Sequence, residues 1–297
     1  MRNASTEQGK TGGMVVGLDI GGSKIMAAAA YPDGAIVHRL LKATPERLLP
    51  GLELLKRMVR ELTGDAKCLA IGAAIGGPLN WQQGIVSPLH QPQWRKVPLK
   101  EIMEDAFGCP FYVDVDTNVA ALGEYHFGKE TASRLVYLTI STGMGGGFLI
   151  DGKIYRGAGG SHPEVGHQSI PFRCTHPERV ICECGATDCL EALVSGNGIR
   201  RIYRKPAEQL TEAEWQEVGY NLGQGLRNIS VMYAPEVIVL GGGVSVGAGE
   251  RLLMPARRVL QNTVHLVPIP EVRLSRLGYD TALRGAISLA LLGNDNI

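Results

Sequence analysis

The chain has 297 residues, 44% hydrophobic and 20% charged, with a formal net charge of +1; this is room for two domains of ordinary size in a soluble, globular class. So even a charge balance gives no electrostatic footing for nucleic acid or an anionic membrane surface, and no apolar run approaches the ~18 residues of a spanning helix. Residues 1–13 lack the apolar core of a signal peptide and read as a disordered leader, so the expected compartment is the cytoplasm, where six cysteines point to metal rather than to a disulfide framework.

From Met14 the pattern is strand, turn, strand, turn, strand. Apolar Met14–Leu18 runs into the glycine-rich Asp19-Ile20-Gly21-Gly22-Ser23-Lys24, then Lys24–Tyr31, the hairpin signal Asp33-Gly34, and Ala35–Leu41. Gly51–Thr63 spaces Leu52, Leu55, Val59 and Leu62 as a helix, and Leu69–Ile75 reads as a buried strand stopped by Gly76-Gly77-Pro78. Leu79–Trp94, with Asn80, His90, Gln91 and Trp94, reads as an ordinary surface loop, with contact to a ligand in a neighbouring cleft as the other reading. A helix over Leu99–Phe107, a strand over Phe111–Val115 and a helix from Asn118 to Phe127 complete an α/β unit with a mixed sheet.

Leu135–Ile140 then opens a second copy of the same order. It continues with Ser141-Thr142-Gly143-Met144-Gly145-Gly146-Gly147, Phe148–Ile150, the turn Asp151-Gly152 and Lys153–Tyr155. Thr211-Glu212-Ala213-Glu214 is a capping box that starts a long helix with Trp215, Val218, Leu222, Leu226 and Ile229 in one stripe, ended before Pro235. Glu236–Leu240 is a short buried strand. A third glycine run, Gly241-Gly242-Gly243-Val244-Ser245, feeds a helix holding Pro255 and Leu260. Val272–Leu274 is strand-like, and the apolar helix Thr281–Leu292 is expected to return and cover the first lobe.

Four features carry chemistry. The first two glycine turns each follow an apolar strand, and glycine lets backbone amides converge on phosphate oxygens without obstruction. Their repetition suggests two related lobes closing on ATP, and neither matches the P-loop or the dinucleotide fingerprint. The competing reading is plain hairpin turns in a chain with 39 glycines. Asp114-Val115-Asp116-Thr117-Asn118 lies at the carboxyl end of a strand, where alternation puts Asp114 and Asp116 on one side and a carboxylate can take an alcohol's proton during phosphoryl transfer. Helix capping by Asp116 or Asn118 competes with that role. Cys182-x-Cys184-x4-Cys189, with His167 fifteen positions upstream, supplies a closed Cys3His set suited to a structural zinc. Cys174 and His176 are rival ligands, and unligated buried cysteines the alternative. Glu164 and Glu191 flank that cluster and offer acceptors for the hydroxyls of a polyol.

The order Asp-Ile-Gly-Gly-Ser-Lys, Gly-Gly-Pro, Asp-x-Asp-x-Asn-x-Ala-Ala-Leu-Gly-Glu, Ser-Thr-Gly-Met-Gly-Gly-Gly, Glu-Val-Gly-His, Cys-x-Cys-Gly-x4-Cys-x-Glu and Val-Ile-Val-Leu-Gly-Gly-Gly-Val-Ser resembles the ROK family of bacterial sugar kinases and repressors, from Met14 to Leu292. The resemblance implies an actin-like, hexokinase-like α/β fold of two RNase H-like lobes with mixed sheets. One lobe is expected over residues 14–118 with 280–297, the other over 119–279, including a zinc module at 167–191. It implies Asp116 as the base that activates the 6-hydroxyl of a hexose, and Gly77, Asp116, Glu164, His167 and Glu191 as sugar ligands, His167 serving zinc as well. It also implies that Asp19 acts on Mg²⁺ through water, that Gly21, Gly22, Ser23, Lys24, Thr142, Gly143 and Gly145 hold the ATP phosphates, that Gly241, Gly242 and Gly243 form the adenosine loop, and that the protein is a homodimer.

Two departures bear on the substrate. Val115 stands where many glucokinase-like members have Asn, and His162-Pro163 stands where others have Ala-Gly. With the longer spacing to Cys182, these strings look most like the bacterial fructokinase branch, which favours fructose over glucose or mannose. The alternatives are a kinase for an N-acetylated hexosamine and a sugar-responsive regulator without a DNA-binding domain, the thirteen residues before Met14 being too few for a helix-turn-helix.

Overall fold

The computed structural model describes residues 12–294, so the leader expected over 1–13 lies, apart from Gly12 and Gly13, outside the described residues. Among the described residues two compact units emerge, residues 12–129 with 158–160 and 280–294, and residues 130–157 with 161–279.

The first unit begins with β1 (Met14–Ile20), β2 (Lys24–Ala30) and β3 (Ile36–Ala43), then α1 (Leu48–Thr63) and β4 (Cys68–Ile75). A small antiparallel sheet follows, made of β5 (Leu79–Asn80), β6 (Ile85–Val86) and β7 (Val97–Pro98). α2 (Leu99–Phe107), β8 (Phe111–Val115) and α3 (Asp116–His126) complete the run. The main sheet has the order β3-β2-β1-β4-β8, antiparallel among β1, β2 and β3 and parallel across β1, β4 and β8. Strands in the parallel half are apolar on both sides because helices cover both faces. Val16, Leu18, Ile20, Ile71, Ala73 and Ile75 face Leu52, Leu55, Met58 and Val59 of α1. Val15 and Ala70 face Leu283, Ile287 and Ala290 of the C-terminal helix Thr281–Leu292.

That helix lies unusually close to the sheet. A Cβ on Gly72 would stand 2.0 Å from the Ala286 carbonyl oxygen, and one on Gly285 would stand 1.7 Å from that of Val119 in α3. α3 therefore belongs to the first unit, and the division falls after Lys129, not at the 118/119 boundary read from the sequence. The stretch Leu79–Trp94 is also more than a surface loop. Trp94 is fully buried against Gly51, where a Cβ would meet its Cζ2 at 2.5 Å. The guanidinium of Arg95 donates to the carbonyls of Pro88, Gln91 and Trp94.

The second unit repeats the topology with different residues. β9 (Arg134–Ile140), β10 (Met144–Ile150) and β11 (Lys153–Ile154) are antiparallel neighbours. After α4 (Leu190–Val194), α5 (Gly196–Tyr203) and α6 (Glu212–Tyr233), β12 (Val237–Gly241) joins β9 in parallel. α7 (Gly243–Ala248) and α8 (Glu250–Thr263) lead to β13 (Glu271–Leu274), parallel to β12. The order β11-β10-β9-β12-β13 matches that of the first sheet strand for strand. The capping box at Thr211 and Glu214 forms as read. The single helix expected after Ser245 is instead α7 and α8, broken at Gly249 with φ 58°. Among the described residues, no helix is long and apolar enough to cross a membrane.

Candidate active site

In the first unit, strand register gathers the acidic residues. Asp19 of β1 pairs with Ala74 of β4, and Ala74 with Asp114 of β8, so the two carboxylates share one row two strands apart. All three strands end one residue later, at Ile20, Ile75 and Val115. Beyond that edge lie the Gly21–Lys24 turn, Gly76-Gly77-Pro78 and Asp116. This is the carboxyl edge of the parallel strands, where α/β sheets hold ligands.

The carboxylates differ in environment. Asp114 is buried, and its Oδ1 accepts from Val115 N at 2.7 Å and from Asn118 Nδ2 at 3.0 Å, bracing the first turn of α3. Asp116 is half-buried, and its Oδ1 accepts from Thr117 N at 2.8 Å. The sequence placed both on one side by strand alternation. β8 ends at Val115 and Asp116 opens α3, so the two point to different partners. Helix capping is also set aside, because the N-cap is Val115 with no side-chain cap. Asp19 is half-buried, and its carboxyl is pushed up from 3.8 to about 7 by burial first and the Asp116 charge second, against the opposing pull of Lys24. A carboxyl whose ionisation a neighbouring carboxylate opposes fits a site able to receive a divalent cation.

The glycine turn beside them is built around one carbonyl. Gly21 N donates to Lys24 O at 3.0 Å, while Gly21 O accepts from Thr44 Oγ1 at 2.7 Å and from Gln91 Nε2 at 3.3 Å. Gly22, Ser23 and Lys24 are exposed. Gly77 O accepts from Leu89 N at 3.1 Å.

In the second unit the turn between β9 and β10 is held by α5, whose Gly196 N and Asn197 N donate to the carbonyls of Ser141 and Thr142 at 2.7 and 3.0 Å. Thr142 is exposed, and Gly145 lies in β10 opposite Thr139. Glu191 reaches this turn directly. Its Oε2 accepts from Met144 N at 2.8 Å, and a Cβ on Gly143 would stand 3.0 Å from that oxygen. Gly166 packs on the same spot, a Cβ there meeting Met144 O at 2.8 Å and Glu191 Cβ at 3.4 Å. The Glu164–His167 turn, Glu191 and the glycine turn are thus one assembly. The Glu164 side chain is exposed, with Oε1 3.4 Å from His162 Nε2. At the third glycine run, packing against β9 requires two of the glycines, since Cβ atoms on Gly241 and Gly242 would meet Tyr137 Oη at 2.0 Å and Ile140 O at 2.3 Å. Gly243 has open space apart from Tyr279 Oη at 3.8 Å.

The ligand atoms of His167, Cys182, Cys184 and Cys189 all lie within 4.8 Å of one another. Cys182 Sγ is 3.4 Å from His167 Nδ1, and Cys184 Sγ is 3.4 Å from Cys189 Sγ. Four donors so spaced fit one ion at zinc–ligand distances of about 2.0–2.3 Å; Cys174 and His176, the rival ligands, lie outside this set. Burial and the neighbouring thiols push Cys189 well up, whereas the backbone amide of Ala186 and the adjacent thiols bring Cys184 down to about 7.

Sequence reasoning missed Thr44, and it named Gln91 without foreseeing that both brace the first turn, from just after β3 and from the Leu79–Trp94 stretch. The only signal available was Thr44 directly after a strand that pairs with the turn's own strand.

A model of the ROK family matches residues 15–292. A fructokinase from Zymomonas mobilis subsp. mobilis is 34% identical over 245 residues, covering 76% of this chain and 78% of its own. Among solved structures, a ROK hexokinase from Thermus thermophilus superposes with a TM-score of 0.80 at 32% identity, over 96% of this chain and 100% of its own. A ROK family glucokinase from Streptomyces griseus, in complex with glucose and AMPPNP, gives 0.77 at 27% identity, over 95% and 100%.

Proposed function

The chain belongs to the ROK family, and on that premise we propose that it is a sugar kinase that phosphorylates a hexose at the 6-hydroxyl from ATP, with Asp116 as general base. The observation that carries this reading is the shared edge of the first sheet, from which the exposed Gly22–Lys24 turn, Asp19 and the half-buried Asp116 all emerge. Asp116 takes the hydroxyl proton as the sugar oxygen attacks the γ-phosphorus, and the bond to the β-phosphate oxygen breaks to release ADP. The amides of the two glycine turns bind the phosphates. A magnesium ion beside Asp19 supplies positive charge to the transferring phosphoryl group when bound. Gly77, Glu164, His167 and Glu191 receive the sugar hydroxyls, and Gly241–Gly243 the adenosine.

Zinc on His167, Cys182, Cys184 and Cys189 is structural in this reading, fixing His167 and Glu191 relative to the second glycine turn. Fructose is the favoured substrate, on Val115 and His162-Pro163 and on the fructokinase likeness. The test is ADP release in a coupled assay with fructose, glucose, mannose and an N-acetylated hexosamine added separately. Turnover that needs added hexose, with fructose giving the highest kcat/KM, is the expected result. Sugar-independent ATP hydrolysis, or none with any sugar, overturns the kinase assignment.

A further inference from the structure

The first glycine turn is held by side chains that do not belong to it. Gly21 O accepts two hydrogen bonds, from Thr44 Oγ1 at 2.7 Å and from Gln91 Nε2 at 3.3 Å, and Thr44 N donates to Ser23 O at 3.0 Å. Thr44 therefore grips both ends of the Gly21-Gly22-Ser23 segment. Gln91 is 5% exposed, and its backbone is fixed by the carbonyl cluster around Arg95 and by the buried Trp94.

The peptide bond turns this grip into direction. In a trans peptide the C=O and the next N–H point to opposite sides of one rigid plane, so a Gly21 carbonyl fixed toward Thr44 and Gln91 sends the Gly22 N–H away from them. Gly22 is exposed, and its N–H has no intramolecular acceptor among the described residues. With no side chain to obstruct it, that donor is available to an anion. His90 packs beside the same glycine, its Cβ 3.0 Å from where a Gly22 Cβ would stand, so a side chain at this position would crowd that stretch.

We propose that Thr44 and Gln91 are positioning residues for the phosphoryl donor, fixing the Gly21–Gly22 peptide so that the Gly22 amide meets an oxygen of a nucleoside triphosphate's polyphosphate tail. The inference rests on the kinase reading above for its ligand. Neither side chain touches the nucleotide; each acts through the peptide plane.

The test compares Thr44→Val, Thr44→Ser and Gln91→Leu with wild type in the coupled assay, varying ATP at saturating sugar and sugar at saturating ATP. Thr44→Val is expected to raise KM for ATP about tenfold, the order of one hydrogen bond serving a charged group, and to leave KM for sugar within about twofold. Thr44→Ser restores the hydroxyl and brings KM for ATP back to within about threefold of wild type, a recovery that lost packing alone does not produce. Gln91→Leu, which breaks the longer bond, gives a smaller rise in the same parameter. Thermal melts accompany each variant, and if Thr44→Val fails to fold, Gln91→Leu and Thr44→Ser carry the comparison. Wild-type KM for ATP in both Thr44→Val and Gln91→Leu, or a rise that Thr44→Ser does not reverse, overturns the proposal. Calorimetric titration of ATP itself separates it from the kinase reading: weaker ATP binding by Thr44→Val supports the anchor even if wild type turns over no sugar, and no ATP binding by wild type ends both.

Discussion

Replacing Asp19 by Asn is expected to make the protein more stable and less active. The Asp19 carboxyl titrates near 7 in the folded chain against an ordinary 3.8, and for a single group that difference corresponds to about 4 kcal/mol once both states are ionised. Because the folded value is raised, the folded state holds the proton more tightly than the unfolded one. Its contribution to stability is complete below about pH 4, falls as the pH climbs toward 7, and stays low above it. Asp19→Asn has no such slope. In urea unfolding with EDTA present, the variant should gain on wild type by at least ~2 kcal/mol between pH 4.5 and pH 8, less than the full figure because pH 4.5 already lies above the unfolded carboxyl's value. Asp116→Asn should recover part of the same gain, since the Asp116 charge is the second cause of the rise. A stability difference that does not change with pH, or an Asp19→Asn variant that loses ground at pH 8, refutes the reasoning.

Three further outcomes are expected. Asp116→Asn keeps the shape that accepts from Thr117 N but loses the base, so kcat should fall by about 10²–10⁴ with KM for hexose within about threefold; wild-type turnover in the coupled assay removes Asp116 from the role. Cys184→Ser should release zinc, read by elemental analysis, and raise KM for sugar, and in chelator-treated wild type at pH 7.5 iodoacetamide should reach Cys184, near 7, before Cys68, pushed to about 12 by burial and Cys109; full activity of metal-free protein, or equal labelling in peptide maps, counts against these. Gly72→Ala should destabilise the chain by at least ~1–3 kcal/mol in denaturant titrations, because its Cβ would stand 2.0 Å from the Ala286 carbonyl oxygen, and a neutral result would mean that the C-terminal helix yields.

Much of the architecture is written in local pattern. Phe111–Val115 and Thr281–Leu292 were readable residue for residue because apolar runs there end at sharp signals: an acidic helix start after the one, an aspartate before and a glycine after the other. The paired strand–glycine turn–strand units were readable because Asp-Gly turns fix their hairpins. What escaped depends on contacts between distant segments. Asp114 looked like a partner of Asp116 until Asn118 claimed its oxygen. Gly241 and Gly242 read as ligand glycines, yet Tyr137 and Ile140 of another strand already require them. Glu191 read as a sugar ligand only, and no spacing in the chain announces that its Oε2 receives the Met144 amide. The Cys3His set was legible because close sequence spacing alone brings three of its four donors together.

The C-terminal helix also sets an order for biosynthesis. A ribosome has delivered every strand of the first sheet and all of the second unit before residues 281–292 appear. Until then Val15, Ala70 and the bare backbone at Gly72 have nothing from that helix over them, so the half of the molecule made first is the half finished last. Nascent chains stalled short of this helix are where holdase chaperones should find an open apolar face.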